Sequence, residues 1–117
     1  MTVLSIAEQF SRYPGPRYRN DGPYSGEQFR EELLLPAVRS AIQSNGLLTV
    51  VLDQVAGYGS SFLEEAFGGL IREGLSIEDL SKHLEIVART ERFQHHRLRA
   101  QMYIQDASAR LPKRLAV

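Results

Sequence analysis

The short run Leu-Leu-Thr-Val-Val-Leu at residues 47–52 is the feature that most limits how this chain can fold. Asn45-Gly46 precedes the run and Asp53 ends it, so it has the length of a strand rather than that of a helix. Because it shows no alternation between apolar and polar residues, it is typical of a central strand covered on both faces. Helical periodicity before and after it predicts an α/β fold.

The helix before this strand begins with a capping box. The hydroxyl of Ser25 is placed to accept from the amide of Gln28, whose side chain can reach back. Apolar residues then recur at helical spacing. Pro36 removes an amide donor, so we expect a kink or an early end there, and Gly46 supplies a residue suited to the left-handed cap.

A glycine-rich turn follows Asp53 and leads into a second helix from Phe62, for which Ser61 and Glu64 form a second expected capping box. Weaker patterns predict an opening strand at 2–6, a helix start at Ser76, a strand at 84–88 and a last helix over 90–107. Residues 10–24 are rich in turn formers, arginine and tyrosine, which indicates an ordered loop or a distorted hairpin. Together these patterns predict a mixed β-sheet flanked by about four helices.

Composition narrows the class of protein. The 117 residues suit one domain, which we place at 1–109, with a basic and flexible tail at 110–117. The formal net charge is zero and cysteine is absent, which excludes disulfides and thiolate chemistry. The first residues do not resemble a secretory signal, and no apolar stretch has the length of a membrane span, so the expected location is the cytoplasm.

Ser60 is the serine of the turn that is not expected to cap the helix. If Ser61 caps the helix, Ser60 lies just outside the cap, next to free amides and the positive end of the helix dipole. A phosphate at that position would be favourable electrostatically. The alternative interpretation is that Ser60 is a small turn residue with no further role.

Three stretches of the chain carry a resemblance to a known family: residues 22–36, 57–70 and 84–87, the second of which contains Gly-Tyr-Gly-Ser-Ser-Phe-Leu-Glu-Glu. The strand, turn, paired serines and helix at 47–69 resemble the STAS domain of anti-sigma-factor antagonists. The whole chain is similar to the STAS-like family catalogued as a domain of unknown function. The resemblance implies a small single-domain STAS-like fold and a regulatory, protein-binding role.

In the antagonists, a partner ATPase of the histidine-kinase-like fold phosphorylates the first serine of this helix and thereby breaks the complex. Carried over, that serine is Ser60, and Asp53 is the nearest counterpart of a second polar position. The antagonists usually have aspartate before the serine, where this chain has Gly59. Partner docking therefore carries over better than phosphorylation does.

The candidate docking and switch residues are those of the turn: Asp53, Gly57, Tyr58, Gly59, Ser60, Ser61 and Phe62. Tyr58 and Phe62 are expected as hydrophobic anchors, because aromatic side chains dominate interface energetics. A further set is expected to be structural: Arg17, Ser25, Arg30, Pro36, Glu64, Gly68 and Gly69. Within it, Arg17 or Arg30 is expected to pair with acids, and the Gly68-Gly69 pair is expected to serve packing within the domain.

Two other functions stay open. The same turn could bind a nucleotide or another small anion, although Gly57-x-Gly59-x-x-Phe62 is an incomplete dinucleotide fingerprint. The arginine–tyrosine loop, together with the basic C-terminal third of the chain, could bind nucleic acid, and the net charge of zero makes this the weaker hypothesis. The adjacent His95 and His96 point about 100° apart on a helix and cannot chelate one metal. No catalytic set, metal or cofactor is expected, and no membrane partner.

Overall fold

The computed structural model describes residues 2–112. The first strand, β1, is Thr2–Ser5, and a single helical turn, α1, follows at Ile6–Gln9. Helix α2 runs without a break through an α-helical segment Gly26–Phe29, a π-helical segment Arg30–Leu34 and an α-helical segment Leu35–Gln43. Strand β2 is Leu48–Val51.

Helix α3 has the same three-part construction as α2. It consists of Ser60–Leu63, a π-helical segment Glu64–Gly68, and Gly69–Arg72. Helix α4 is Ile77–His83, strand β3 is Leu84–Val87, and helix α5 is Gln94–Ala109, preceded by a 3₁₀ turn at Glu91–Phe93. The predicted elements are thus present with boundaries shifted by one to a few residues.

The three strands form one sheet in the order β1-β2-β3, and both pairings are parallel. The α/β prediction is confirmed. The sheet was expected to be mixed, but within residues 2–112 every strand pair is parallel, and five helices rather than about four accompany it. All four residues of β2 are buried, as the apolar run predicts for a central strand.

Pro36 neither ends nor breaks α2. The amide of Leu35 donates to the carbonyl of Arg30, five residues earlier, so a π turn lies directly before the proline. This wider turn gives room for the proline ring, which in a regular α-helix clashes with the carbonyl four residues earlier. At the end of α2 the left-handed residue is Asn45, with φ 52°, and not Gly46 as predicted.

The loop at 10–24 is ordered and contains a 3₁₀ turn, Arg19–Asp21, with no strand among the residues described. Its backbone is tied to the start of α2, since the amides of Gly26 and Glu27 donate to the carbonyls of Pro16 and Arg17 at 2.9 and 3.0 Å. Of the predicted tail, residues 113–117 lie outside the described part of the chain. Within residues 2–112 no helix has the length and apolar character to cross a bilayer.

Candidate functional site

The predicted turn lies where β2 ends and α3 begins. Helix α3 starts at Ser60, two residues earlier than the capping box predicts, and its N-cap is Gly59, with no side chain capping the first turn. The Ser61–Glu64 capping box is therefore wrong. Ser60 is the first helical residue and is exposed, while Ser61 is half-buried.

Glu64 does not cap the helix because two arginines engage its carboxylate. Arg17 of the loop pairs with Glu64, and Arg72 donates to both carboxylate oxygens at 2.7 and 3.0 Å. Burial alone would raise the pKa of Glu64, but the hydrogen bonds from Arg72 and Arg17 lower it below its usual value. The carboxylate is thus held ionised and away from the helix start.

Asp53 is buried and serves the backbone. Its carboxylate accepts from the amides of Arg89 and Thr90, at 2.8 Å each, and from the Thr90 hydroxyl at 2.6 Å. Burial opposes its ionisation, but these hydrogen bonds outweigh that effect and lower the pKa of Asp53. Asp53 joins the end of β2 to the segment after β3. From the sequence, Asp53 was expected to take part in docking a partner protein, but its carboxylate is buried and already bonded.

The two aromatic residues of the turn belong to the core. Phe62 is fully buried and lies against Phe29, so the expectation that it anchors a partner is wrong. Tyr58 is half-buried, and its hydroxyl donates to the Leu52 carbonyl at 2.7 Å. Burial, with a smaller contribution from the charge of Asp53, raises the pKa of Tyr58. Tyr58 therefore supports the turn from beneath.

Basic side chains hold the outer backbone of the turn. Arg92 donates to the Ala56 carbonyl at 2.9 Å, and Arg12 donates to the Gln54 carbonyl at 3.4 Å. The Ala56 amide in turn donates to the Arg12 carbonyl at 2.8 Å, which brings the loop against the turn. Tyr13, the next residue, is 74% exposed. We call Arg12, Tyr13, Gly59, Ser60 and Arg92 the turn surface; all five are exposed.

Sequence reasoning missed Arg12, Tyr13 and Arg92 as members of this surface. They lie more than 30 residues away from Ser60 along the chain, and no spacing pattern links them to the turn. Near them, His96 packs against Tyr58 with ring centroids 5.2 Å apart. Burial, and then the charges of His95, Arg99 and Arg92, lower the pKa of His96.

Behind the turn surface, α2 and α3 are joined by a cluster of charged residues. Arg30 and Glu65 are both buried, and Nη1 of Arg30 donates to the carboxylate of Glu65 at 2.6 Å and to its carbonyl at 2.7 Å. Glu73 pairs with the Arg30 Nε at 3.2 Å. We call Arg17, Arg30, Glu64, Glu65, Arg72 and Glu73 the ionic cluster. The expectation that Arg17 or Arg30 pairs with acids is confirmed for both.

The glycine pair is explained by this cluster. A Cβ at Gly69 would overlap Nη1 of Arg30, and a Cβ at Gly68 would meet the Glu64 carboxylate. Gly26 of α2 likewise lies against the carbonyl of Phe62. The glycines therefore make room for packing inside the domain, as expected, and Ser25 caps α2 from a fully buried position.

The arginine–tyrosine loop is less available to nucleic acid than its sequence indicates. Arg19 pairs with Glu31 and Glu32 at 2.9 and 3.1 Å, and Arg17 belongs to the ionic cluster. No group of metal-ligating side chains is assembled within residues 2–112.

A family model described as a STAS-like domain of unknown function (DUF4325) matches residues 25–91, which is more than half of the chain. The chain belongs to this STAS-like family. The matched residues start at the N-cap of α2 and end in the turn before α5, so they include both π-helical segments and the turn at Ser60. No curated protein and no solved structure matches the chain.

Proposed function

We propose that this chain is a non-enzymatic regulatory module that binds another protein through the turn surface, and that a charge placed on Ser60 switches this binding. The observation that carries the proposal is the state of Ser60. It is the first residue of a three-turn helix, its side chain is exposed, and no side chain caps the helix start.

Electrostatics support a modified Ser60 within an intact fold. The amides of the first turn of α3 have no intrahelical acceptor, and the helix dipole favours an anion there. Arg12 and Arg92 bring positive charge to the turn that leads to Ser60, since they donate to the carbonyls of Gln54 and Ala56. A phosphate would therefore change the charge of the surface without unfolding the helix that carries it.

The anchor for a partner is Tyr13 rather than the aromatic residues of the turn. Tyr13 is the most exposed large aromatic side chain of the described residues, at 74%. Tyrosine is enriched among residues that dominate binding energy, because it has a large ring and few rotatable bonds. The positive charges of Arg12 and Arg92 favour a partner with acidic side chains. A phosphate on Ser60 would repel such a partner.

A non-enzymatic role is supported by the state of the nearby carboxylates. Asp53 is saturated by three donors, and Glu64 is paired with two arginines. Both have lowered pKa values, so neither is poised to exchange a proton near neutral pH. The resemblance to the antagonists favours an ATPase of the histidine-kinase-like fold as the partner, although this chain has Gly59 where the antagonists usually have aspartate before the modified serine.

The test is quantitative capture of partners from the native host, followed by titration of the captured protein against purified variants. We expect Ser60→Asp to weaken binding about tenfold or more, and Tyr13→Ala to weaken it by a similar factor. The matched control is Ser40→Asp, which places the same charge on an exposed serine of α2 at the opposite end of the sheet. If all three variants bind as the wild type does, the docking surface is wrong.

A nucleotide or small-anion sensor is the second candidate. A cleft of about 270 Å³ lies at the carboxyl ends of the strands, the usual ligand position in parallel α/β sheets. Its lining contains Glu8 and Asp53 as well as Arg89, so its charge does not favour an anion. A thermal-shift measurement against nucleotides decides: strong stabilisation in the absence of any protein partner would favour the sensor.

A further inference from the structure

Strand β3 lies at the edge of the sheet and borders a long open groove. Within residues 2–112, β3 pairs with β2 and with no other strand. The groove has a volume of about 970 Å³ and follows β3 along its whole length. Strand β3 forms one wall, α5 forms the other and α4 closes one end; we call this space the β3 groove.

The backbone of β3 turns unpaired groups toward this groove. The amide of Leu52 donates to the carbonyl of Val87, so Val87 faces β2. In a parallel ladder the inward and outward residues alternate, which directs both the amide and the carbonyl of Ile86 into the groove. At the end of the strand, Ala88 already accepts a hydrogen bond across the groove from the Gln94 side chain at 2.6 Å.

These groups decide what kind of occupant fits. A strand edge is matched by another extended backbone, which supplies a donor and an acceptor at the same spacing. A docked helix has already satisfied its own backbone and would leave Ile86 unpaired. A second copy of this chain, adding β3 to β3, would have to bring its own α5 into the same channel. A single extended segment meets neither difficulty.

The side chains of the groove define the composition of that segment. Met102 of α5 is 49% exposed, and both it and the buried Ile104 contribute apolar side chains to the groove. Arg97 donates to Gln94 and Gln101, and no carboxylate within residues 2–112 lies within ion-pair distance of it. An apolar side chain facing Met102 and an acidic side chain facing Arg97 would complete both contacts.

We propose that the β3 groove binds an extended segment of a partner protein, carrying an apolar and an acidic side chain, as a fourth strand beside β3. This site lies on the edge of the sheet and is independent of Ser60. It gives the protein a second docking surface, one that recognises a backbone rather than a charged surface.

The test is selection of displayed random short peptides against the whole protein, followed by binding measurements with the selected peptides in synthetic form. We expect Met102→Glu to weaken their binding about tenfold or more. Leu111→Glu is the matched control, since Leu111 is an exposed apolar residue that does not line the groove; it should change binding less than about twofold. Ser60→Asp should leave binding unchanged, which separates this proposal from the proposed function.

Hydrogen exchange identifies the mode of binding. A bound strand should slow exchange of the Ile86 amide and leave the already paired Val87 amide unchanged. Peptides that bind as helices, an unprotected Ile86 amide, or equal effects of the Met102 and Leu111 substitutions would each overturn the proposal. Self-association that Met102→Glu abolishes would overturn it too, because the occupant would then be a second copy.

Discussion

The starts of α2 and α3 each carry a serine, Ser25 as the N-cap of α2 and Ser60 as the first residue of α3, and the two starts differ in their chemistry. Ser25 is fully buried, its hydroxyl accepts from the Gln28 amide at 3.0 Å, and the Gln28 side chain accepts from the Tyr24 amide at 3.1 Å. Ser60 is exposed and follows a glycine, and the first turn of its helix has no side-chain cap. One start is fixed by the fold, and the other is free to interact.

The difference arises from the residue one turn further along each helix. In α2 that residue is Gln28, which is neutral and whose side chain accepts from the Tyr24 amide at the helix start. In α3 it is Glu64, whose charge is drawn to Arg17 and Arg72. Arg17 and Arg72 each bring a full positive charge to the carboxylate, so pairing with them outweighs a hydrogen bond to a neutral backbone amide. The ionic cluster thereby rigidifies the base of α3 and leaves its first turn unassigned.

The largest effect is expected from breaking the ionic cluster. Arg30→Met leaves the buried Glu65 carboxylate without its closest partner, and we expect a loss of about 3 kcal/mol in the free energy of unfolding, measured by urea denaturation. Adding Glu65→Leu should recover much of the loss, because the uncompensated charge is then gone. Arg19→Met is the control, since Arg19 pairs only on the surface and should matter little. Additive losses in the double variant would show that the two residues act separately.

Removing the carboxylate that joins β2 to the segment after β3 comes next. Asp53→Ala leaves three donors from Arg89 and Thr90 without an acceptor, and we expect a loss of about 2–3 kcal/mol. The pKa of Asp53 is lowered in the folded protein, so its contribution is present above the unfolded value of about 3.9 and is lost as the pH falls through the folded value. The difference between wild type and variant should therefore shrink in acid. A difference that stays constant down to pH 2 would mean that the charge of Asp53 is not the cause.

The sequence was sufficient for the elements whose signals are local. The apolar run predicted β2, and the Ser25–Gln28 pair predicted the start of α2, because both depend on neighbouring residues only. Prediction from the sequence failed where a side chain that could serve its own helix is bound instead by a residue far away in the chain. Glu64 reads as a capping residue until Arg17, 47 positions away, is seen beside it.

The candidate site shows the same limit. Ser60 was expected to be exposed just outside the helix cap; it is exposed, but as the first helical residue, and Phe62 and Asp53 were expected on the surface and are buried. Their positions depend on the packing of α3 against α2 and on the segment after β3, which no local pattern encodes. The parallel edge at β3 also went unpredicted, since strand order is a property of the whole sheet.

A smaller effect is expected at the glycine that accommodates Arg30. Alanine in place of a helical glycine normally stabilises by about 1 kcal/mol. Gly69→Ala should instead destabilise by about 1–2 kcal/mol, because the new methyl group overlaps a guanidinium that is held by Glu65 and Glu73. In an Arg30→Ala background the sign should reverse. If Gly69→Ala is destabilising in both backgrounds, the clash is not with Arg30.

The smallest effects compare the two serines directly. Ser25→Ala should cost about 1 kcal/mol in the free energy of unfolding, because the Gln28 amide loses its cap inside the protein. Ser60→Ala should change it very little, since no described group depends on that hydroxyl as a cap. Ser60→Asp should raise stability by about 0.5 kcal/mol, because a carboxylate at the first turn meets free amides and the positive end of the helix dipole. Thermal and urea unfolding at low and high salt check this, since screening should reduce the gain. If Ser60→Asp is strongly destabilising, an anion is not accommodated at this position, and a charge on Ser60 would act by unfolding α3 rather than by altering an intact surface.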